Sequence, residues 1–154
     1  RMLRDLARAR GVQLHLGPLP DVEVPAAAVE LCLANLVSNA VKYSDPAKPE
    51  RWVAVAGAIE PTLPAAARAA LADAAAEADD GAPALGEGAM LVVRVRDNGL
   101  GVPLAQRPGL FRRFFRAHAH SASHIEGTGL GLSIVRETMR VLGGTVWAEF
   151  DDAD

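Results

Sequence analysis

The sequence predicts an α+β domain built as a two-layer α/β sandwich. Three observations predict it. Short segments alternate apolar and polar residues, longer ones repeat apolar residues at helical spacing, and the connections are too irregular for a doubly wound parallel sheet. The chain has 154 residues, enough for one domain with its own core. Half of the residues are hydrophobic and 23% are charged, as in an ordinary globular protein. A net charge of -3 gives no sign of a nucleic-acid surface. The single cysteine, Cys32, excludes an internal disulfide and reads as a small core residue in an apolar helical pattern.

The elements follow in order. In "VQLHL" (12–16), Val12, Leu14 and Leu16 share one strand face, with Gln13 and His15 on the other. Pro25 suits the first turn of a helix running from Ala26 to about Tyr43, with Val29, Leu33, Leu36, Val37, Ala40 and Val41 as its apolar stripe. "SDPAKP" ends that helix, and "WVAVAGAI" (52–59) is a second strand. In the third, "LVVRVRD" (91–97), Leu91, Val93 and Val95 face inward, and Val92, Arg94 and Arg96 face outward. "LFRRFFRA" (110–117) reads as a short helix. Residues 130–142 form another, stopped by Gly143 and Gly144, and "TVWAEF" (145–150) closes with a strand. Between the second and third strands, residues 60–89 are Ala-rich. Pro64 starts a helix there that runs to about Asp79, with Leu71 its only large apolar residue. The segment reads as a surface insertion, with a docking element for a partner as the sharper alternative.

Four stretches carry chemistry. In the first long helix Asn35, Asn39 and Lys42 stand at i, i+4 and i+7, on a face expected to lie opposite the apolar stripe. That face is either solvated or a site for a hard cation, since amide oxygens ligate Mg²⁺ and a lysine complements its phosphate ligands. "RDNGLGV" places Asp97 at a strand end before Gly99 and Gly101. It reads as a simple turn or as a base-recognition site. A buried carboxylate accepts from the exocyclic amine of adenine, and guanine would leave it unpaired. "LFRRFFRAHAHSASHIEG" combines an aromatic anchor (Phe111, Phe114, Phe115), cations (Arg112, Arg113, Arg116) and a small polar tip, as a lid would. His118, His120 and His124 fit no common zinc spacing. "GTGLGL" puts Gly127, Gly129 and Gly131 at the mouth of a helix, whose free N–H groups and positive dipole end suit a phosphate. Neither the P-loop nor the dinucleotide fingerprint is matched.

Taken in this order, "NLVSNAVKYS", "DNGLGV", "LFRRFFR" and "GTGLGLSIV" resemble the N, G1, F and G2 boxes of sensor histidine kinases. The resemblance runs from about Leu6 to Phe150, apart from 60–89. It implies the catalytic ATP-binding domain of Bergerat type: a mixed sheet with helices on one face and a mobile ATP lid at 110–128. By that resemblance the whole of 1–154 is one domain, and 1–10 is the tail of an upstream helical hairpin. Asn39 ligates Mg²⁺ with Asn35 assisting, and Lys42 and Tyr43 contact phosphates and ribose. Asp97 accepts from adenine in a pocket shaped by Gly99 and Gly101. Arg116 reaches the γ-phosphate, and Gly127, Thr128, Gly129, Leu130, Gly131 and Leu132 wrap the phosphates.

Hydrolytic relatives carry a water-activating glutamate one turn before the Mg²⁺ asparagine. Asn35 stands there and cannot act as a base, and Glu30 lies almost on the opposite side of the helix. The ATP γ-phosphate is therefore expected to pass to a histidine on an upstream dimerisation hairpin, and a cognate response regulator to receive it. A homodimeric parent protein and no nucleic-acid partner are expected. The chain opens on Arg1 in mid-pattern and reads as a soluble, cytoplasmic piece of a longer protein, with or without a membrane anchor. The rival readings are a nucleotide-binding module without kinase activity and an anti-sigma-type serine kinase.

Overall fold

A computed structural model describes residues 1–77, 88–113, 115 and 129–151, the side chains at 74, 75 and 77 aside. The elements are α1 (Met2–Ala9), β1 (Gln13–Leu16), α2 (Ala26–Lys42), β2 (Trp52–Glu60), α3 (Ala65–Glu77), β3 (Met90–Asp97), the 3₁₀ turn η1 (Leu104–Gly109) and α4 (Gly131–Val141). The sheet is mixed, in the order β1-β2-β3. β1 runs parallel to β2 with Leu14 beside Val53, and β3 runs antiparallel to β2 with Val95 beside Val55 and Asp97 beside Val53.

That register puts Leu14, Val53, Val55 and Val95 on one sheet face. α2 covers this face with Val37, Ala40 and Val41, and α1 closes the end with Leu3, Leu6 and Ala7. The core is small, and its centre is Val41 at 0% exposure and Val53 at 1%. Pro25 sits just ahead of α2, its carbonyl accepting the Val29 N–H at 3.0 Å. At the other end, Gly143 takes a left-handed φ of 75° just beyond α4, a conformation that glycine adopts without steric cost. Among the described residues no helix is long and apolar enough to cross a membrane.

Several expectations change. Leu16 lies on the inward face yet is 71% exposed, because the strand outruns the helical cover at that end. Val92, expected outward, is 4% exposed. Its row, Val92 beside Ala58, lies between the rows that carry Arg94 and Glu60. The Arg94–Glu60 ion pair therefore bridges over it and screens it. The chain does not wind into an α-helix over 110–113. Pro108 interrupts the preceding turn, and the hydrogen bonds step by three residues, from Gln106 N–H to Pro103 and from Arg112 N–H to Gly109. Residues 145–150 make no ladder in the described sheet, so no closing strand forms there. α3 starts after Pro64 as expected and buries Ala67 fully. Asp79 lies outside the described residues.

Removing two methyl groups at the centre of this core leaves a void that rigid neighbours cannot fill. Val41→Ala is expected to lower stability by about 2 kcal/mol in urea denaturation. Leu16→Ser, on a mostly exposed side chain, is expected to shift it by less than about 0.5 kcal/mol. Equal losses for the two variants would contradict the core assignment.

Candidate nucleotide site

Asparagine is a poor helix former, so two of them one turn apart in α2 need support from elsewhere. Asn35 Nδ2 donates back to the Leu31 carbonyl at 2.9 Å. This turns Oδ1 away from the helix backbone, toward the start of α4. A Cβ on Gly131 would lie 3.1 Å from Asn35 Oδ1 and 3.6 Å from Asn39 Nδ2. The asparagine face is thus not a free solvated face opposite the apolar stripe. α4 packs on it, and Asn35 and Asn39 are half-buried. Cys32 lies on the same side, buried, and hydrogen-bonds Thr138 of α4. Burial pushes its thiol pKa up, only partly countered by that hydrogen bond.

The N-terminus of α4 has no side-chain cap: Ser133 Oγ donates to the Leu130 carbonyl at 2.8 Å instead of accepting from a leading N–H. Gly129 enters the helix with a left-handed φ of 73°. Leu132, in the first turn, is half-buried. Lys42 shares the asparagine side of α2, and among the described residues its ammonium makes no hydrogen bond. Its carbonyl accepts from Arg10 at 3.2 Å, a guanidinium well placed against the negative end of the helix.

The second half of the site is a turn docked on the C-terminal end of α2. Asp97 Oδ1 accepts the Gly99 N–H at 2.8 Å, closing the turn on itself. The Tyr43 carbonyl accepts the Leu100 N–H at 3.0 Å. A Cβ on Gly99 would collide with that same carbonyl oxygen, so only glycine fits. Gly101 turns away with a φ of 69°. Asp97 is exposed rather than buried, because β3 ends beyond the cover of α2. Its second oxygen has no partner among the described residues.

Two residues that the sequence reading passed over hold this turn, Asn98 and Lys48, and a third, Arg10, ties α1 to the end of α2. The Asn-Gly pair marked only a turn, but an amide can accept and donate at once. That capacity was the available signal for Asn98. Beyond η1, the Phe115 ring lies under Gly109, 3.1 Å from where a Cβ would stand, so part of the expected aromatic anchor is in place. Arg107 stacks 4.1 Å from the centre of the Phe150 ring. A hydrogen bond from Arg140, with the charges of Arg113 and Arg136 nearby, holds the Glu137 carboxyl below the usual range. Phe114, Arg116, His118, His120, His124, Gly127 and Thr128 lie outside the described residues. No cluster of three or more His, Cys, Asp or Glu side chains suited to a metal occurs among the described ones.

A family model described as "Histidine kinase-, DNA gyrase B-, and HSP90-like ATPase" matches residues 25–153. Over 145 residues, 94% of this chain and 19% of the relative, the sequence is 34% identical to the signal transduction histidine-protein kinase AfsQ2 of Streptomyces coelicolor. Over 58 residues, 38% of this chain and 10% of the relative, it is 38% identical to the sensor protein kinase WalK of Staphylococcus saprophyticus. The chain thus spans about a fifth or less of the curated relatives it matches. Among solved structures, the mycobacterial sensor histidine kinase MprB superposes with a TM-score of 0.53 at 26% identity, covering 89% of this chain and 71% of that one.

Two glycine substitutions separate turn geometry from helix approach. Gly99→Ala must displace the Tyr43 carbonyl and is expected to cost at least about 2 kcal/mol in thermal denaturation. Gly131→Ala presses only on the Asn35 amide and is expected to leave stability within about 1 kcal/mol, helped by the better helix propensity of alanine. Comparable melting temperatures for the two variants would contradict the close approach at Gly99.

Proposed function

The chain belongs to the histidine kinase-, DNA gyrase B- and HSP90-like ATPase family, and from that premise we propose that it is the ATP-binding catalytic part of a two-component sensor histidine kinase. The observation that carries the reading is the seating of the uncapped α4 N-terminus on the Asn35–Asn39 face of α2. Backbone N–H groups there can meet a triphosphate beside hard oxygen ligands. The turn carrying Asp97 docks on the C-terminal end of the same helix, at Tyr43.

In this reading Asp97 offers its unshared oxygen to the adenine amine, and Gly99 and Gly101 let the loop pass close beneath the base. The bound base supplies the burial that Asp97 lacks. Lys42 and Tyr43 meet phosphates and ribose. Gly127, Thr128, Gly129, Leu130, Gly131 and Leu132 follow the phosphates from the lid side, and Arg116 reaches the γ-phosphate. Magnesium suits the donor set, because amide oxygens are hard and neutral and leave room for phosphate ligands. Asn39 would hold the ion, assisted by Asn35, whose Oδ1 is turned toward the α4 N-terminus by its bond to Leu31. When bound, the ion neutralises phosphate charge.

Phosphoryl transfer of this kind depends on positioning and charge neutralisation. Asn35 has no proton-accepting group and its amide is already engaged, which disfavours water as the acceptor. The acceptor is a histidine on an upstream dimerisation hairpin, with residues 1–10 as its tail. The parent protein works as a homodimer on the cytoplasmic side and passes phosphate to a response regulator. Residues 1–154 form one domain in which 60–89 is an insertion.

Three measurements test this. The 154-residue chain is expected to bind Mg-ATP, and Asp97→Ala to weaken binding about tenfold or more, the scale of a lost hydrogen bond to a charged group. Mixed with the parent protein's histidine-bearing hairpin, the chain is expected to place acid-labile phosphate on the hairpin. Acid-labile phosphate on the chain alone, or rapid release of inorganic phosphate without the hairpin, would overturn the proposal.

A further inference from the structure

Asn98 stands between the proposed adenine acceptor and the glycine that closes its turn, yet its own side chain points to neither. Its Oδ1 accepts the Trp52 N–H at 2.9 Å, and its Nδ2 donates to the Glu50 carbonyl at 2.9 Å. Its carbonyl accepts Lys48 Nζ at 2.8 Å, and its N–H reaches the Trp52 carbonyl at 3.4 Å. One residue therefore ties the turn after β3 to the whole approach to β2, residues 48–52. The approach is itself ordered. Asp45 Oδ1 accepts the Ala47 N–H at 2.9 Å, and the Asp45 carbonyl accepts the Lys48 N–H at 3.2 Å.

We propose that Asn98, with Lys48, is a positioning latch that aims the Asp97 carboxylate and so sets the preference for adenine over guanine. The inference rests on the reading of Asp97 as the adenine acceptor. Asp97 has other restraints on its direction: the β3 ladder, in which it pairs with Val53 of β2, the Gly99 N–H on its Oδ1, and the Leu100 N–H on the Tyr43 carbonyl, which docks the far side of the turn on α2. The ladder and the Leu100 bond hold the two ends of the turn. Asn98 is the side chain that clamps the turn between them, next to Asp97, onto residues 50–52. An exposed carboxylate distinguishes an amine donor from a carbonyl acceptor only when its free oxygen is held in one place. With the latch released, the carboxylate can rotate away from a mismatched base or admit a bridging water, and discrimination falls.

The experiment measures the ratio of dissociation constants for Mg-GTP and Mg-ATP by calorimetry on the 154-residue chain, with the melting temperature taken on each sample. The unsubstituted chain is expected to favour ATP. Asn98→Asp keeps the acceptor toward Trp52 but loses the donor toward Glu50. It is expected to lower the GTP/ATP ratio about fivefold, the size of one net hydrogen bond. Asn98→Ala is expected to lower it further. Lys48→Met, on an exposed side chain, is expected to lower it about twofold. A residue with a purely structural role would lower the melting temperature and weaken both nucleotides alike, leaving the ratio in place, and that outcome overturns the latch. If Asn98→Ala does not fold, Asn98→Asp and Lys48→Met carry the same readout. Equal binding of ATP and GTP by the unsubstituted chain would instead overturn the reading of Asp97 itself.

Discussion

The approach of Gly131 to the Asn35 amide sets how closely α4 can lie on α2. Most of the site's geometry depends on that spacing. A Cβ at 131 would press on the Asn35 amide, which would have to give, and a bulkier side chain would hold the α4 N-terminus away from the asparagine face. The approach also needs Asn35 to hold still, which it does by bonding back to Leu31. That back-bond is usually a liability in a helix interior, because it competes with the helix's own hydrogen bonds. Here it fixes which end of the amide faces α4. A few tenths of a kilocalorie of helix propensity are given up for a defined oxygen position.

The opposite end of α2 is organised by its terminal carbonyls, which a helix leaves without partners of its own. Lys42 passes its carbonyl to Arg10, and Tyr43 passes its carbonyl to Leu100. The first bond ties α1 to α2, and the second ties the Asp97 turn to α2. The groups that would otherwise mark a frayed helix end thus become the attachment points for two other segments. In this way one helix relates the Asp97 turn and the α4 N-terminus, which are far apart in sequence. Its remaining face, Val37, Ala40 and Val41, holds it to the sheet. α2 therefore has little freedom to tilt without disturbing the core or one end of the site.

Much of this was legible because it is periodic or because it violates propensity. The helical stripe of α2 and the alternation of β1, β2 and β3 come from spacing alone. Asn35, Asn39, Gly99 and Gly131 stood out as residues that local structure disfavours, and each sits where two segments nearly touch. What sequence did not reveal depends on packing across segments. Periodicity says which residues of α2 share a face but not that α4 covers the asparagine face. Alternation puts Val92 outward, and only the pairing register shows an ion pair closing over it. The aromatic run at 110–117 suggested a helix, but over 110–113 Pro108 and three-residue hydrogen bonding produce a tighter wind. The Asn98 contacts were hidden for the same reason, since the partners of its side chain, Glu50 and Trp52, lie more than forty residues away, just before β2 and at its first residue.

The same cross-segment logic bears on the proposed transfer to a protein acceptor rather than to water. A water-activating carboxylate would have to stand one turn before Asn39, where Asn35 is. Replacing a carboxylate by an amide removes the base, and it also changes what the position can support. A carboxylate accepts only. It could not donate to the Leu31 carbonyl and would repel it at the 2.9 Å seen here. An ionised group half-buried beneath α4 would also require a compensating charge, and Lys42, on the same side of α2, is a candidate for it. The amide needs none, and in the proposed reading Lys42 then stays available to phosphates. In that reading Asn35 does more than disfavour hydrolysis: it lets α4 lie close, turns its Oδ1 toward the α4 N-terminus and leaves the lysine unspent.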